Sequence, residues 1–448
     1  MFEHTQTQPP LYLLDSIAAV KKERWQESPF WLQTLRQEGR LLFEQLGLPR
    51  RNLEEWKYTD VSPIAEHPFI TPRPLTHQWH DQLTALPLSP LRLVFVNGFY
   101  VPTLAQIPTL PPRVIIGSLG EALSQNSPLL EKHLANYAMP EDNPFVALNN
   151  AFIEDGAFVY IPANVHLAHP IHIVYFNIEN KSETNNTPPI ASHPRNLIIV
   201  EAGASASIIE DYIGTADIVY LNNPVTEIFL DQDASLEHYK LQRESQNAFH
   251  VATISVRQEQ NSHFASHSFS FGSQLTRNNI NSYLQAPHSE CSFNGLVMVR
   301  HNQHVDNHTL IHHSHPHCHS NQLYHGILDD LACGVFNGKI YVEAEAQKTD
   351  SRQTNRTLML SNQARMDAKP QLEIFAEDVK CSHGATVGRL DTDSLYYLRS
   401  RGISAKDARK MLTLAFGKQV SDLIKIPTLR NAIETLIADQ LEEWSKRE

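Results

Sequence analysis

One pattern, LIIVEAGAS at residues 197–205, recurs as EIFLDQDAS at 227–235, TISVRQEQNS at 253–262 and INSYLQAPHS at 280–289. Each copy is an extended run that ends in a small turn and a serine, and the serines lie 30, 27 and 27 residues apart. Alternating apolar positions follow the turns, as in the pair Tyr239 and Leu241 and the pair Phe269 and Phe271. A period of roughly 20 to 50 residues is typical of stacked coils or of propeller blades.

The alternation fits strands that stack in register and expose one side-chain face while they bury the other. A right-handed parallel β-helix therefore fits better than a propeller, which needs about four strands in every 40–45 residues. From spacing alone, an antiparallel sandwich with accidental spacing stays open as the alternative. Leu358–Leu360 before Asn362–Ala364 is interpreted as a later copy. The prediction is a stack of parallel strands from about 120 to 390, with helices confined to the two ends.

Helical periodicity precedes the repeats. Apolar residues recur at helical spacing over 11–47, with a break at Pro29 and a stop at Gly47. The proline-rich segment 63–112 predicts irregular and partly β structure. We therefore expect a helical and irregular N-terminal region over residues 1–115.

Helical periodicity also returns after residue 390. One helix is predicted to end at Gly402, and the next begins with a capping pair, Ser404 and Asp407. A last helix is predicted over about 428–444. The chain is thus expected to have a mainly β core at 116–390 and a helical domain at 391–448.

Composition restricts the function. The 448 residues carry 37 Lys and Arg against 49 Asp and Glu, a net charge of −12, which argues against a nucleic-acid partner because phosphate binding needs a basic face. Four cysteines in so long a chain are too few for a disulfide scaffold, and none falls in a Cys-x-x-Cys pair, which argues against a zinc ribbon or a self-contained ferredoxin site. No signal core and no uncharged stretch of about 18 residues is seen, so we expect a cytoplasmic protein without a membrane partner.

Histidines are concentrated in one segment, with nine between His301 and His325. On a strand, His313, His315, His317 and His319 would share one face, and imidazole is a common ligand for zinc, iron and copper. Pro316 interrupts a regular strand, however, and no carboxylate lies among the four. They are an accessory metal candidate, with a solvated loop as the alternative.

A second candidate is Cys381-Ser-His383. Two residues spaced by one in an extended segment project to the same side, where they could bind a metal, or where the imidazole could lower the pKa of the thiol. A buried thiol beside a turn histidine is the alternative.

No phosphate-binding loop is found: Gly334-Val-Phe-Asn-Gly338-Lys-Ile is one residue short between its glycines. Any nucleotide hydrolysis must come from another chain.

The segment around this candidate, KPQLEIFAEDVKCSHGATVG at 369–388, closely resembles the signature of the SufB/SufD family, the scaffold subunits of the SUF iron–sulfur cluster assembly system. Four other blocks also match the family: NPFVALNNAF at 143–152, VFNGK at 335–339, QKTD at 347–350 and YLRSRG at 397–402. EWKYT at 55–59 and Gly384 after the histidine resemble the SufD branch, since SufB-like chains usually have glutamate at the latter position. The resemblance covers essentially the whole chain.

The resemblance implies a right-handed β-helix core flanked by helical regions, and a complex of a SufD-like chain with SufB and the ATPase SufC. It implies that His383 contributes to a nascent-cluster site at the SufB interface, and Cys381 also matches the family. It also implies no stably bound cofactor in the isolated chain, a cluster held transiently in the complex, and no enzymatic activity. Whether reduced flavin binds the complex, and whether the isolated chain forms a homodimer, stay open.

The resemblance further implies that each C-terminal helical domain docks one SufC. Met411, Leu412, Ala415 and Phe416 are predicted to share a helix face, flanked by Arg399 and Arg401. We expect Arg399, Arg401, Met411, Leu412 and Phe416 to form the ATPase-binding surface.

Three alternatives to the scaffold stay open. A β-helix enzyme acting on acidic polysaccharide would need an exposed strand face with Asp and Arg or Lys, which is not evident. A cysteine-nucleophile enzyme using Cys381 and His383 would need a third orienting group and an oxyanion donor. A stand-alone histidine-rich metal-binding β-helix protein is the third.

Overall fold

The computed structural model describes Trp25 and residues 28–74, 86–179 and 188–446. Two large sheets face each other as the walls of a β-helix of about seven turns, so the predicted β-helix is confirmed and the antiparallel sandwich is wrong. The predicted helix at residues 11–24 lies outside the described residues.

Successive coils place their strands alternately in the two sheets. Sheet A contains β3 (Ile115–Ser118), β4 (Ala157–Ile161), β6 (Ile190–Ser192), β7 (Arg195–Val200), β9 (Tyr220–Asn222), β10 (Val225–Leu230), β12 (Phe249–Gln258), β14 (Leu275–Leu284), β16 (His304–His313), β18 (Cys333–Val342) and β20 (Arg365–Ile374). Sheet B contains β1 (Leu91–Val96), β2 (Phe99–Tyr100), β5 (Ile171–Asn177), β8 (Ser205–Gly214), β11 (Ser235–Arg243), β13 (His263–Ser270), β15 (Glu290–Val299), β17 (His319–Leu328), β19 (Asp350–Met359) and β21 (Lys380–Gly388). Among the described residues, β1 with β2 and β3 with β4 are antiparallel, and the other strand pairs are parallel.

The serine repeat corresponds to one turn of each coil, between sheet A and sheet B. Asp233, Asn261 and His288 precede the small residue or serine of successive copies and have φ values of 58°, 56° and 63°. Asp, Asn and His are the side chains that enter this left-handed region most readily. The amide of Asp233 donates to the carbonyl of Gln260 in the next coil at 2.9 Å, so the turns form a ladder. Leu358–Leu360 is not a further copy, because its turn leads from sheet B back to sheet A.

Helices in the N-terminal part cover the outside of sheet A. They are α1 (Phe30–Leu46), α2 (Ser62–Ala65), α3 (Leu119–Ser124), α4 (Pro128–His133) and α5 (Pro144–Ala151). The stop of α1 at Gly47 is confirmed. The expected range of strands differs from the structure at its start, since α3–α5 lie within it and β1 precedes it. The division at 115/116 and 390/391 stays a prediction.

The EWKYT segment is fastened to the outer face of sheet A. The Arg277 guanidinium lies over the Trp56 ring at 4.3 Å and donates to the Glu55 carbonyl at 2.9 Å. His308 lies 3.2 Å from the Glu55 carboxylate, and His304 lies 2.9 Å from the Thr59 hydroxyl. Two histidines of the histidine-rich segment therefore hold the N-terminal region against the β-helix.

The C-terminal helices return along the outside of sheet B. They are α6 (Thr392–Ser400), α7 (Ala405–Ser421) and α8 (Pro427–Ser445). The predicted start of α7 is confirmed, because the Ser404 hydroxyl accepts from the Asp407 amide at 3.0 Å. One apolar cluster joins α7 and α8 to the predicted alternating positions Tyr239, Leu241, Phe269 and Phe271.

The buried face of α7 differs in part from the predicted one. It contains Ala408 and Val420, which the apolar pattern includes, together with Thr413, Gly417 and Ser421, which such a pattern overlooks. A Cβ atom at Gly417 would lie at an ordinary contact distance of 3.6 Å from Ile327 of β17 and from Ile437 of α8, so α7 packs between the sheet and α8 at this point. The described residues include no helix long and apolar enough to cross a membrane.

Candidate functional site at the open end of the β-helix

The last coil leaves two strand edges without a neighbour in the described part of the chain. β20 ends sheet A and β21 ends sheet B, and we call this open end the mouth. Pro370 lies within β20, where a missing backbone N–H is tolerated because the strand is at an edge. The mouth is therefore a surface that can accept strands from another molecule.

Cys381 and His383 face the inside of the mouth. In the parallel register of β21 on β19, Cys381 pairs with Ser351 and His383 pairs with Gln353. Register partners point to the same side of a sheet, and the side chains of Ser351 and Gln353 are buried in the lumen. His383 itself is exposed and Cys381 is half-buried, so the predicted pair lies together at the rim of the lumen.

The Cys381 thiol is not activated. Burial raises its pKa, and the nearby Asp350 carboxylate raises it further. A nucleophilic cysteine needs the opposite shift, since the thiolate is the reactive form. This electrostatic environment does not favour the cysteine-nucleophile enzyme.

The ligand set at the mouth is incomplete within one chain. The described residues contain no group of three or more His, Cys, Asp and Glu side chains that could hold a metal ion. Across from His383, the inward positions of β20 pair with buried positions of β18 and include Ala368, Pro370 and Leu372, none of which binds metal strongly. A metal or cluster held here would need further ligands from outside this chain.

Apolar side chains surround the candidate pair. Leu372 and Ile374 are half-buried in a small cluster that also contains Cys381, and Phe375 and Val387 are 60% and 51% exposed. Exposed apolar side chains next to unpaired strand edges are typical of an interaction surface.

The four candidate histidines of the accessory site do not share a strand face. His313 ends β16 and is buried with its Nε2 2.9 Å from the Ser320 hydroxyl, while His319 begins β17. His317 occupies the left-handed turn of the ladder and stacks on His288 at 5.0 Å. His315 is half-buried in the same turn. His315 and His317 thus lie in a turn while His313 is buried in a strand, and an accessory metal affinity stays a prediction.

The predicted ATPase surface is exposed in part. Met411 is 49% exposed, and Tyr396 and Tyr397 of the preceding helix α6 are 74% and 58% exposed. Arg401 lies over the Tyr397 ring at 5.3 Å, and Arg399 is exposed. We call these exposed aromatic and basic side chains of α6, together with Met411 of α7, the exposed patch, and its role as a dock stays a prediction.

Phe416 and Leu412 differ from the rest of that surface. Phe416 stacks on His325 of β17 at 4.4 Å, and its carbonyl lies 3.0 Å from the His325 Nδ1. Leu412 is half-buried. Phe416 therefore attaches the helical domain to the β-helix. An apolar spacing pattern in the sequence cannot distinguish this packing role from a role in partner binding.

Two residues at the mouth carried no role in the sequence reasoning. Gln353 is buried beneath His383, and a Cβ atom on Gly338 of β18 would overlap the Gln353 amide nitrogen. Gly338 lies in the VFNGK block, and Gln353 follows QKTD by three residues. Both residues thus lie in or near motifs that the sequence shows. Only the register of the strands places them next to His383.

Taken together, these features define a class: a parallel β-helix protein with a cysteine and a histidine at an open strand edge. Two family models match the chain, the SufBD protein N-terminal region over residues 14–173 and the SUF system FeS cluster assembly SufBD core domain over 181–416. The chain belongs to the SufBD family of the SUF iron–sulfur cluster assembly system.

Individual relatives agree with this assignment. An iron–sulfur cluster assembly SufBD family protein of Synechocystis is 35% identical over 413 residues, covering 89% of this chain and 88% of its own. The iron–sulfur cluster assembly protein SufD of Escherichia coli K12 is 33% identical over 396 residues, covering 88% and 90%. SufD of Bacillus subtilis is 28% identical over 435 residues, covering 93% and 95%.

Proposed function

We propose that this chain is a SufD-like scaffold subunit that pairs with a SufB-like chain at the mouth, and that His383 supplies one ligand to a nascent iron–sulfur cluster there. The cluster is cargo that leaves the complex, and the chain performs no catalysis of its own. The observation that carries the proposal is the pairing of His383 with an incomplete ligand set at two open strand edges.

The chemistry of the mouth supports this role. An ordinary imidazole is mostly neutral near neutral pH and has a lone pair available for iron. One imidazole holds iron weakly, so ligands from a partner are required, and the apolar rim around Phe375 and Val387 supports burial against such a partner. The raised pKa of the Cys381 thiol supports a lesser role for this residue in the isolated chain.

ATP hydrolysis would come from a SufC-like ATPase that docks on the patch formed by Tyr396, Tyr397, Arg399, Arg401 and Met411. The exposure of these aromatic and basic side chains supports the proposal, because exposed aromatics and arginines are enriched at protein interfaces. Reduced flavin, if it binds, would bind the assembled complex.

The test is cluster formation by the complex that this chain forms with SufB and SufC. His383→Ala is expected to leave co-purification of the three chains intact and to lower the bound iron and sulfide about tenfold or more. Cys381→Ala is expected to have a smaller effect. His263→Ala is the matched control, because His263 is an exposed histidine four coils away on the same sheet.

Normal iron and sulfide loading by the His383→Ala complex would refute the ligand role. Failure of the unaltered chain to co-purify with SufB and SufC would refute the scaffold assignment as a whole. A complex of the unaltered chain reconstituted with and without reduced flavin, and measured by its absorbance after gel filtration, decides whether flavin is retained.

A further inference from the structure

Polar side chains line the lumen directly below the mouth in two columns. The first column leads from Cys381 to Ser351, whose hydroxyl lies 2.7 Å from that of Ser320. Ser320 in turn lies 2.9 Å from the Nε2 of His313. The hydroxyl groups below Cys381 are thus already engaged with one another.

The second column leads from His383 to Gln353 and then to Gln322, one coil deeper. Gln322 is engaged through its oxygen, because its Oε1 accepts a hydrogen bond from the Thr309 hydroxyl at 2.7 Å, while its Nε2 has no partner among the described residues. Gln353 is 2% exposed, and neither its Oε1 nor its Nε2 has a hydrogen-bond partner among the described residues. A buried amide without a partner is costly, by about 1–3 kcal/mol for each unpaired group, so such a group in a folded protein requires an explanation.

Space for this amide is provided by a glycine. The Gln353 side chain crosses the lumen from sheet B to sheet A, and its nitrogen occupies the position that a Cβ atom on Gly338 would take. The amide therefore lies in the last enclosed layer of the lumen, with the open layer of His383 above it. Neighbouring strands are about 4.8 Å apart, so the imidazole and the carboxamide are within reach of each other after rotation of the exposed ring.

We propose that Gln353 positions the imidazole of His383. The carboxamide oxygen accepts a hydrogen bond from the N–H of one ring nitrogen, which leaves the lone pair of the other ring nitrogen directed out of the mouth. A histidine that binds metal usually donates its second N–H to such a partner, and loss of the partner typically costs about 10–100-fold in metal affinity or activity. The hydrogen bond between Gln353 and His383 can be tested in the isolated chain. Only its use, to direct a ring nitrogen toward a cluster, rests on the proposed function.

The test compares two glutamines on the same face of neighbouring strands. Gln353→Met keeps the length of the side chain and removes its hydrogen-bonding groups, Gln322→Met does the same one coil deeper, and Gln353→Glu keeps an oxygen acceptor. The ring nitrogen chemical shifts of His383 are measured by NMR on the full chain with ¹⁵N-labelled histidine, at about pH 8 where an ordinary ring is neutral. His383→Ala identifies the signal.

We expect a single fixed tautomer of His383 in the unaltered chain, in Gln322→Met and in Gln353→Glu, and averaged shifts of two tautomers in Gln353→Met. Cluster formation with SufB and SufC should fall about 10–100-fold in Gln353→Met and be restored by Gln353→Glu. Unchanged shifts in Gln353→Met would overturn the proposal, and so would equal changes in Gln322→Met, which would indicate a general effect of lumen packing.

The two proposals fail separately. If Gln353→Met changes the tautomer but His383→Ala loads iron normally, the positioning is correct and the ligand role is wrong. If His383→Ala loses the cluster while Gln353→Met leaves the tautomer unchanged, the ligand role is correct and the positioning is wrong.

Discussion

Arg277 and Asp306 form an ion pair with 2.6 Å between Nη1 and Oδ2, and both side chains are almost completely removed from solvent. The pair lies on neighbouring strands of sheet A, beneath the EWKYT segment, where Thr59 also donates to Asp306. Arg277 is thus one of the points at which the β-helix holds the N-terminal region.

Asp306→Asn should therefore be strongly destabilising. It leaves the buried Arg277 charge without its counter-charge, which typically costs about 3–5 kcal/mol in the free energy of unfolding. Urea unfolding followed by circular dichroism measures the change. The control is Glu259→Gln, because the pair of Glu259 with Arg257 is exposed and is worth less than about 1 kcal/mol. Equal losses in the two variants would contradict the prediction.

Acid should destabilise the chain through His193. Burial lowers the pKa of His193 to about 3, and its ring stacks on Phe152 at 4.5 Å. The unfolded chain takes up this proton near pH 6.5 and the folded chain does not, so stability falls as the pH decreases from about 6.5 toward 3. The loss between pH 7 and pH 5 is about 2 kcal/mol for this one group.

The pH dependence of the free energy of unfolding, measured by urea titration at pH 7 and pH 5, checks this. His193→Gln should lower the stability at pH 7 and reduce the difference between the two pH values by about 2 kcal/mol. His263→Gln, which changes an exposed histidine, should keep the difference seen in the unaltered chain. An identical pH dependence in His193→Gln and the unaltered chain would refute the assignment.

Two glycines near the mouth should respond differently to alanine. Gly338→Ala forces the Gln353 amide to move, and overpacking of a buried site typically costs about 1–3 kcal/mol. Gly384→Ala places its methyl group where no other atom lies within 4 Å, so its effect should be no more than about 0.5 kcal/mol. Thermal and urea unfolding of both variants measure the two changes in stability. An unchanged free energy of unfolding in Gly338→Ala would contradict the prediction, because it would show that the Gln353 amide can adopt another position.

Two substitutions in α7 should affect SufC binding and protein stability separately. Met411→Ser changes an exposed side chain, so it should weaken retention of SufC with little effect on the unfolding transition. Phe416→Ala removes the ring that stacks on His325 and should lower the free energy of unfolding by about 2–4 kcal/mol. Thr435→Ala on α8 is the control for both measurements, and normal SufC retention by Met411→Ser would exclude this part of the surface.

The repeat and the helix caps could be predicted because they depend on local residue choice. Asp233, Asn261 and His288 show the left-handed turn in the sequence itself, and Ser404 with Asp407 shows the start of α7. The strand β1 was not foreseen as part of the stack, because its partner β5 lies about 80 residues away and only tertiary pairing joins them.

The site could be predicted only up to the pair Cys381 and His383, which lie two residues apart on one strand. Gln353 and Gly338 are 30 and 45 residues from His383, and only the coil register brings them below it. The buried face of α7 was missed only in part: the apolar pattern includes Ala408 and Val420, but a search for apolar residues passes over the buried Thr413 and Gly417.

The apolar contact between the C-terminal helices and sheet B extends over five coils, from Ile209 through Tyr239, Phe269 and Leu296 to Ile327. The helices thus brace the stack of coils. A hinge motion between the helical domain and the β-helix would have to break the contacts in all five coils at once. A force applied to the exposed patch around Met411 would therefore move the β-helix together with the helices. The whole mouth would then move relative to a partner that faces His383.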